Sequence, residues 1–374
     1  PKDGASVLFR EGRLLLAGGA IAGNNLDSTN KAAVIDMTDD SATVRATNAM
    51  HFPRKFHNAV MLPTGDVIVL GGNGGKKFDD ADSILAAELW HPDSESWDVL
   101  ASASVPRNYH SVALLMMDGR VWSAGGGLCG NCVANHQDAQ VYSPPYLFNA
   151  DGSAASRPAL LSVPASVVPG KVFTVQASPN VTRFTAIKMG ATTHAVNTDQ
   201  RFIEFSFVDS GNGSYKLRAN ANPNVLTPGY YMLFAIDAHG VPSVASSLQV
   251  QNVRITLHNP GSLRAQAGET IDLPLVAEHP LDLPLTFSAQ GLPPGLSIDA
   301  ATGRISGTLV PLEEGIHDVR ITVTDGVVQS SMQFAWEIIG EHVASGRLLR
   351  EIWDNIGGTQ VSNLVQSTAF KEYG

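Results

Sequence analysis

The stretch Thr64-Gly65-Asp66-Val67-Ile68-Val69-Leu70-Gly71-Gly72 occurs three times in this chain. Upstream it reads Glu11-Gly12-Arg13-Leu14-Leu15-Leu16-Ala17-Gly18-Gly19. Downstream it reads Asp118-Gly119-Arg120-Val121-Trp122-Ser123-Ala124-Gly125-Gly126. The first glycine steps from 12 to 65 to 119, a period of 53 to 54 residues. The segment before it recurs as well: Arg54-Lys55-Phe56-His57-Asn58-Ala59-Val60 matches Arg107-Asn108-Tyr109-His110-Ser111-Val112-Ala113. A third strand per unit reads Ala33-Val34-Ile35-Asp36, Glu88-Leu89-Trp90-His91 and Gln140-Val141-Tyr142-Ser143. The x-Gly-x before each apolar run is a tight hairpin signal. Four short strands per roughly 50 residues, with Gly-Gly ending the second, is the pattern of kelch-type propeller blades. Propellers close with about four to eight blades, so about three visible blades make this a partial propeller. The first lacks the Arg-x-aromatic-His strand.

Composition agrees with an all-β protein. The 374 residues include 35 Gly and 21 Pro, and only 16% are charged, which suits many short strands and turns. The formal charge of −10 disfavours nucleic acid, which selects basic patches. No apolar run reaches the ~18 residues that would favour a membrane span, so no membrane insertion is expected.

Beyond Asn149-Ala150-Asp151-Gly152 the repeat stops, and the boundaries read as follows. Residues 1–154 are the blades. Residues 155–251 form a β-sandwich, opened by Arg157-Pro158 and closed by Pro228-Gly229-Tyr230-Tyr231-Met232-Leu233-Phe234-Ala235, with strands every ten or so residues. Residues 252–340 form a second Ig-like unit, marked by Gly291-Leu292-Pro293-Pro294-Gly295-Leu296-Ser297-Ile298-Asp299 and Thr302-Gly303-Arg304-Ile305-Ser306-Gly307-Thr308. Residues 341–374 are a linker and the truncated start of a further β-sandwich.

Two separated segments carry chemistry. The first is Arg107-Asn108-Tyr109-His110-Ser111, continuing through Asp118 to Gly125-Gly126-Gly127-Leu128-Cys129-Gly130-Asn131-Cys132. The second is Thr193-His194-Ala195-Val196-Asn197-Thr198-Asp199-Gln200-Arg201. Two imidazoles and a phenol suit copper(II), which takes N and O donors. Both segments resemble the copper-site segments of the galactose oxidase and glyoxal oxidase family of radical copper oxidases. The resemblance implies that His110 and His194 are equatorial copper ligands. Tyr109 would be an axial ligand and the catalytic base for the substrate hydroxyl. Phe56 would lie at the mouth of the substrate pocket, although by composition it is equally a blade-core aromatic. A hairpin of the 155–251 domain would carry Thr193–Arg201 into the propeller axis. The 252–340 unit resembles bacterial Ig-like modules related to cadherin folds. Gly346–Thr359 resembles the first strand of protective-antigen-type carbohydrate-binding modules.

The two cysteines, Cys129 and Cys132, allow a short disulfide, a zinc half-site or a redox pair. Zinc lacks two further ligands, and a redox motif would open a helix. The resemblance implies the disulfide, which in turn implies an oxidising, extracellular setting. The resembled enzymes also need a second tyrosine joined to a cysteine by a thioether, which stores an oxidising equivalent as a radical. The resemblance places that pair in blades before residue 1, and this chain has no third cysteine to serve in it.

The expected function is therefore the C-terminal portion of a secreted oxidase with one copper per parent protein. It would oxidise a primary alcohol, aldehyde or carbohydrate with O2 to give H2O2, and would be inactive as this piece alone. The alternative is a non-enzymatic extracellular carbohydrate-binding or adhesion protein with a propeller scaffold. His57 occupies the repeat position of His110, so a histidine there could also be a buried repeat feature.

Overall fold

The computed structural model describes residues 2–20, 27–39, 41–75, 79–311 and 314–340. The expected module start at 341–374 lies outside the described residues. Among the described residues, the regular elements are strands apart from one 3-10 turn, Pro145–Leu147.

Three blade-like antiparallel sheets follow one another. The first holds β1 (Ala5–Arg10), β2 (Arg13–Ala17), β3 (Ala32–Asp36) and β4 (Thr43–Thr47) in that order. The second repeats the pattern with β5 (Asn58–Met61), β6 (Val67–Leu70), β7 (Ala86–His91) and β8 (Ser96–Ser102). The third has only β9 (Ser111–Leu115), β10 (Val121–Gly125) and β11 (Ala139–Tyr142), not the four strands the repeat implies. The first sheet, by contrast, has all four. The Arg-x-aromatic-His segment is the loop leading into a blade's first strand, so its absence removes no strand.

The repeat's glycines do their work between blades. Gly19 N donates to Arg54 O at 2.8 Å, and Gly72 N donates to Arg107 O at 2.8 Å. The first two Gly-Gly pairs thus meet the carbonyl of the next blade's arginine. A Cβ on Gly71 would lie 2.3 Å from Arg107 O, and its φ is +69°. Gly71→Ala is expected to cost about 2–4 kcal/mol, combining the left-handed penalty with overpacking. Gly152→Ala, at φ +80° with nothing within 4 Å, is expected to cost only about 1 kcal/mol. Urea midpoints of the two variants check the difference.

The arginines themselves turn back into their own blade. Arg54 is fully buried, donates to Gly71 O and Ala86 O, and pairs with the equally buried Glu88. Arg107 repeats this with Gly125 O and Asp138.

The sandwich that follows contains β12 (Leu160–Ser162), β13 (Ser166–Val167), β14 (Val172–Ala177), β15 (Val181–Lys188), β16 (Thr192–Thr193), β17 (Val196–Asn197), β18 (Phe202–Asp209), β19 (Ser214–Arg218), β20 (Gly229–Asp237) and β21 (Ser246–Val250). Strand β18 serves both halves: Phe202–Phe205 pair with β15, and Ser206–Asp209 pair with β19. One long strand switching sheets curls the whole into an eight-stranded wrap. Its core includes Phe184, Leu217, Tyr231 and Leu248.

This sandwich shares a core with the blades. Ile187, Phe202, Met232 and Phe234 pack in one cluster with Phe9, Met61, Val67 and Trp90. Polar bolts add to it: Thr185 Oγ1 donates to Pro63 O at 2.8 Å, and Ala245 N to Met117 O at 2.7 Å.

Among the described residues, 256–278, 284–311, 314–324 and 329–340 form a second compact unit. Its sheets are Leu263–Gln266, Gln329–Ile339, Gly315–Thr324 and Thr286–Gln290 in spatial order, and Thr270–Pro274, Arg304–Thr308 and Leu296–Ile298. Alternate residues Val319, Ile321 and Val323 are fully buried, the period-2 signature of a half-buried strand.

Candidate metal centre

The site is assembled by two tight turns. In the first turn, in the loop leading into the third sheet, Ser111 N donates to Asn108 O at 2.9 Å, and His110 has φ 68°. A strand would send Tyr109 and His110 to opposite faces. The left-handed residue breaks that alternation, and the two rings lie 4.0 Å apart.

The second turn tips the hairpin β16–β17. Thr193 pairs with Val196, leaving His194-Ala195 as a two-residue loop. Their φ values are 52° and 63°, as a type I′ turn requires. Asn-Gly is the usual choice there. The hairpin is pinned to the blades: Ala195 N donates to Ser111 O at 3.0 Å. Gln200, buried, receives Met61 N at 2.9 Å and donates to Ala59 O at 2.8 Å. No sequence signal marks Gln200 for this role, because its partners are backbone groups about 140 residues earlier.

His110 and His194 thereby come within 4.7 Å, ring to ring, and Tyr109 lies 5.8 Å from His194. Phe56 packs edge-on against Tyr109 at 5.2 Å. It is itself 8% exposed, so it sits in the blade core while touching the site. Of the ten described non-glycine residues with positive φ, four are Phe56, His110, His194 and Ala195. Backbone strain of this kind, of order 1–3 kcal/mol each, concentrates at functional sites.

Each histidine has its Nδ1 occupied. Gly127 O lies 2.6 Å from His110 Nδ1, and Thr193 Oγ1 lies 2.6 Å from His194 Nδ1. A carbonyl can only accept, so His110 Nδ1 carries the hydrogen and Nε2 is the nitrogen left to face a metal. This is the arrangement metal-ligating histidines adopt. Metal–imidazole bonds of about 2 Å put two cis ligand rings about 4.5 Å apart, close to the 4.7 Å observed. Copper(II) accepts N and O donors, so the residues present fit it. They supply three donors, and among the described residues no group of three or more His, Cys, Asp or Glu could hold a metal ion.

His57, the repeat equivalent of His110, has a different fate. It is 1% exposed, and burial together with the neighbouring Arg54 charge pushes its pKa down to about 3. The native state therefore holds it neutral. Its contribution is complete above the unfolded value near 6.5 and is lost as pH falls below it. About 2 kcal/mol should be gone by pH 5. His57→Leu should flatten the decline in urea midpoint between pH 7 and 5.

Cys129 and Cys132 form a disulfide. Asn135 and His136 brace its loop, while Asp138 pairs with Arg107. Trp90 and Trp97 are buried blade core.

Residues 6–142 match the Glyoxal oxidase N-terminus family, residues 157–250 the Galactose oxidase-like, Early set domain family, and residues 253–338 an Ig-domain family, He_PIG. A galactose oxidase of Gibberella zeae is 38% identical over 245 residues, 64% of this chain and 36% of that protein. The aldehyde oxidase GLOX of Vitis pseudoreticulata is 32% identical over 222 residues, 54% of this chain and 42% of that protein. A solved fungal alcohol oxidase of the AA5 family, in complex with copper, superposes with a TM-score of 0.65 at 39% identity. That match covers 67% of this chain and 54% of the other. The chain thus spans well under half the length of these two curated relatives. Fold and comparisons define an all-β chain of propeller blades joined to an early-set sandwich. Residues 6–142 and 157–250 are similar to the galactose oxidase and glyoxal oxidase family.

Proposed function

We propose that this chain provides part of the copper site of a secreted oxidase that converts a primary alcohol or aldehyde with O2 into the oxidised product and H2O2. The observation that carries the reading is the convergence of His110 and His194 at 4.7 Å beside Tyr109, from two domains, on strained turns. His110 and His194 would hold the ion through Nε2, and Tyr109 through its phenol oxygen. Bound there, copper would supply one-electron redox capacity and a cation to draw in the substrate oxygen. The chain's own residues do the rest. Tyr109 Oη takes the hydroxyl proton of the substrate. Phe56 offers an apolar edge next to Tyr109, suited to the carbon face of a small alcohol or sugar. The Gly127 carbonyl and the Thr193 hydroxyl keep the two imidazoles turned.

Both cysteines are consumed by the disulfide, and no free cysteine remains among the described residues. A thioether-linked tyrosine radical would need a cysteine from outside these 374 residues. The chain alone is therefore expected to bind one Cu(II) per molecule, with nitrogen hyperfine coupling from two imidazoles in its electron paramagnetic resonance spectrum. It is expected to form no H2O2 from galactose or glyoxal. A chain that binds no Cu(II) would favour the scaffold reading, a non-enzymatic carbohydrate-binding or adhesion protein. Sustained peroxide formation would refute the need for an added radical partner.

A further inference from the structure

We infer that the disulfide-closed loop from Gly127 to His136 is a positioning element for His110, which sets the imidazole tautomer through the Gly127 carbonyl. The metal-binding consequence rests on the oxidase reading above, but the tautomer does not. Gly127 holds both site residues at once: its N–H donates to Tyr109 O at 2.7 Å, and its carbonyl accepts from His110 Nδ1 at 2.6 Å. It has φ +87°, and a Cβ would lie 2.3 Å from Ala134 O. The far limb of the loop is therefore pressed directly against it, and its position depends on that limb.

The limb is not held by apolar burial. Leu128 and Val133, which flank the cysteines, are 81% and 83% exposed, and among the loop's apolar side chains Ala134 alone is buried. The loop is instead held by covalent and polar links. The Cys129–Cys132 bond closes it. Asn135 Oδ1 accepts from Cys129 N at 3.2 Å, while Asn135 Nδ2 donates to Gly130 O. His136 N donates to Gly126 O at 3.2 Å. On its outer side His136 Nε2 pairs with Asp80 at 2.9 Å, and Asp80 accepts from Asn108 Nδ2 at 2.8 Å. That returns the chain of contacts to the residue before Tyr109. A segment with few apolar contacts opens locally at low free energy. Removing the cross-link should free the Gly127 carbonyl from His110 without unfolding the blades.

The test uses the whole chain as Cys129→Ser/Cys132→Ser and, separately, as Asn135→Ala, with near-ultraviolet circular dichroism to verify the fold. The first readout is metal-free: nitrogen-15 spectra of the His110 ring. The wild type is expected to show the Nδ1–H tautomer, and both variants a mixture. The second is Cu(II) affinity, expected to fall about 10- to 100-fold, the range for loss of an outer hydrogen bond to a ligating histidine. Retention of the Nδ1–H tautomer in both variants overturns the inference, whatever the copper affinity. Failure of the wild type to bind copper counts against the oxidase reading alone, and the tautomer result then decides the loop's role.

Discussion

His194→Ala should lower the Cu(II) affinity of the chain by at least about 100-fold. The loss of an outer hydrogen bond to a metal-bound histidine already costs up to that much, and here a donor itself is removed. Among the described residues three side chains with N or O donors converge here: His110, His194 and Tyr109. No carboxylate cluster stands by to replace the missing imidazole among the described residues. His110→Ala should do the same, and the remaining nitrogen hyperfine pattern should come from a single ring. His258 lies in the second unit with its side chain 53% exposed, so His258→Ala is the control and should leave affinity unchanged. Isothermal titration of the three variants settles the matter. Equal affinity for wild type and His194→Ala would mean that the convergence of the two rings is architectural only.

The second large effect concerns the blades. Glu88→Ala should destabilise the chain by about 3–5 kcal/mol, because it strands the Arg54 guanidinium in the interior. Neither side chain has any solvent exposure. Glu88 also accepts the backbone N–H of His51, so its removal takes the acceptor from a second donor. Replacing both partners, as Arg54→Met/Glu88→Leu, should recover most of the loss, since an apolar pair of similar volume removes the stranded charge. Arg304–Asp272 in the second unit is the contrasting case. Both side chains there are more than half exposed, and Asp272→Ala should cost about 0–1 kcal/mol. Chemical denaturation of the three variants checks the ranking. A loss below about 1 kcal/mol for Glu88→Ala would show that Arg54 finds other partners in its place.

Much of the architecture was legible because its determinants are local. Gly18-Gly19 and Gly71-Gly72 recur since only a residue without a side chain can sit under the next blade's arginine carbonyl. Sequence alone could register that requirement as a period, though not its cause. The two copper-type segments were legible by residue content, and the structure brings them together. Less visible was the strand count: the third sheet stops at β11, because after Tyr142 the chain turns through Pro145–Leu147 toward the sandwich instead of returning.

His57 and His110 mark the division. They occupy one repeat position, and the repeat itself does not separate them, although the resemblance singles out His110. His57 packs under the first blade and is held neutral by burial, while His110 faces the hairpin of another domain. The sequence by itself determined what depends on neighbours within a few residues: the strand period, the turns and the donor types available. Only the tertiary structure decided which histidine became a candidate ligand and which became core. It also decided that Gly127 and Gln200 would hold the site. Those outcomes depend on contacts closed across tens to more than a hundred residues, whose loop entropy and packing no local pattern encodes.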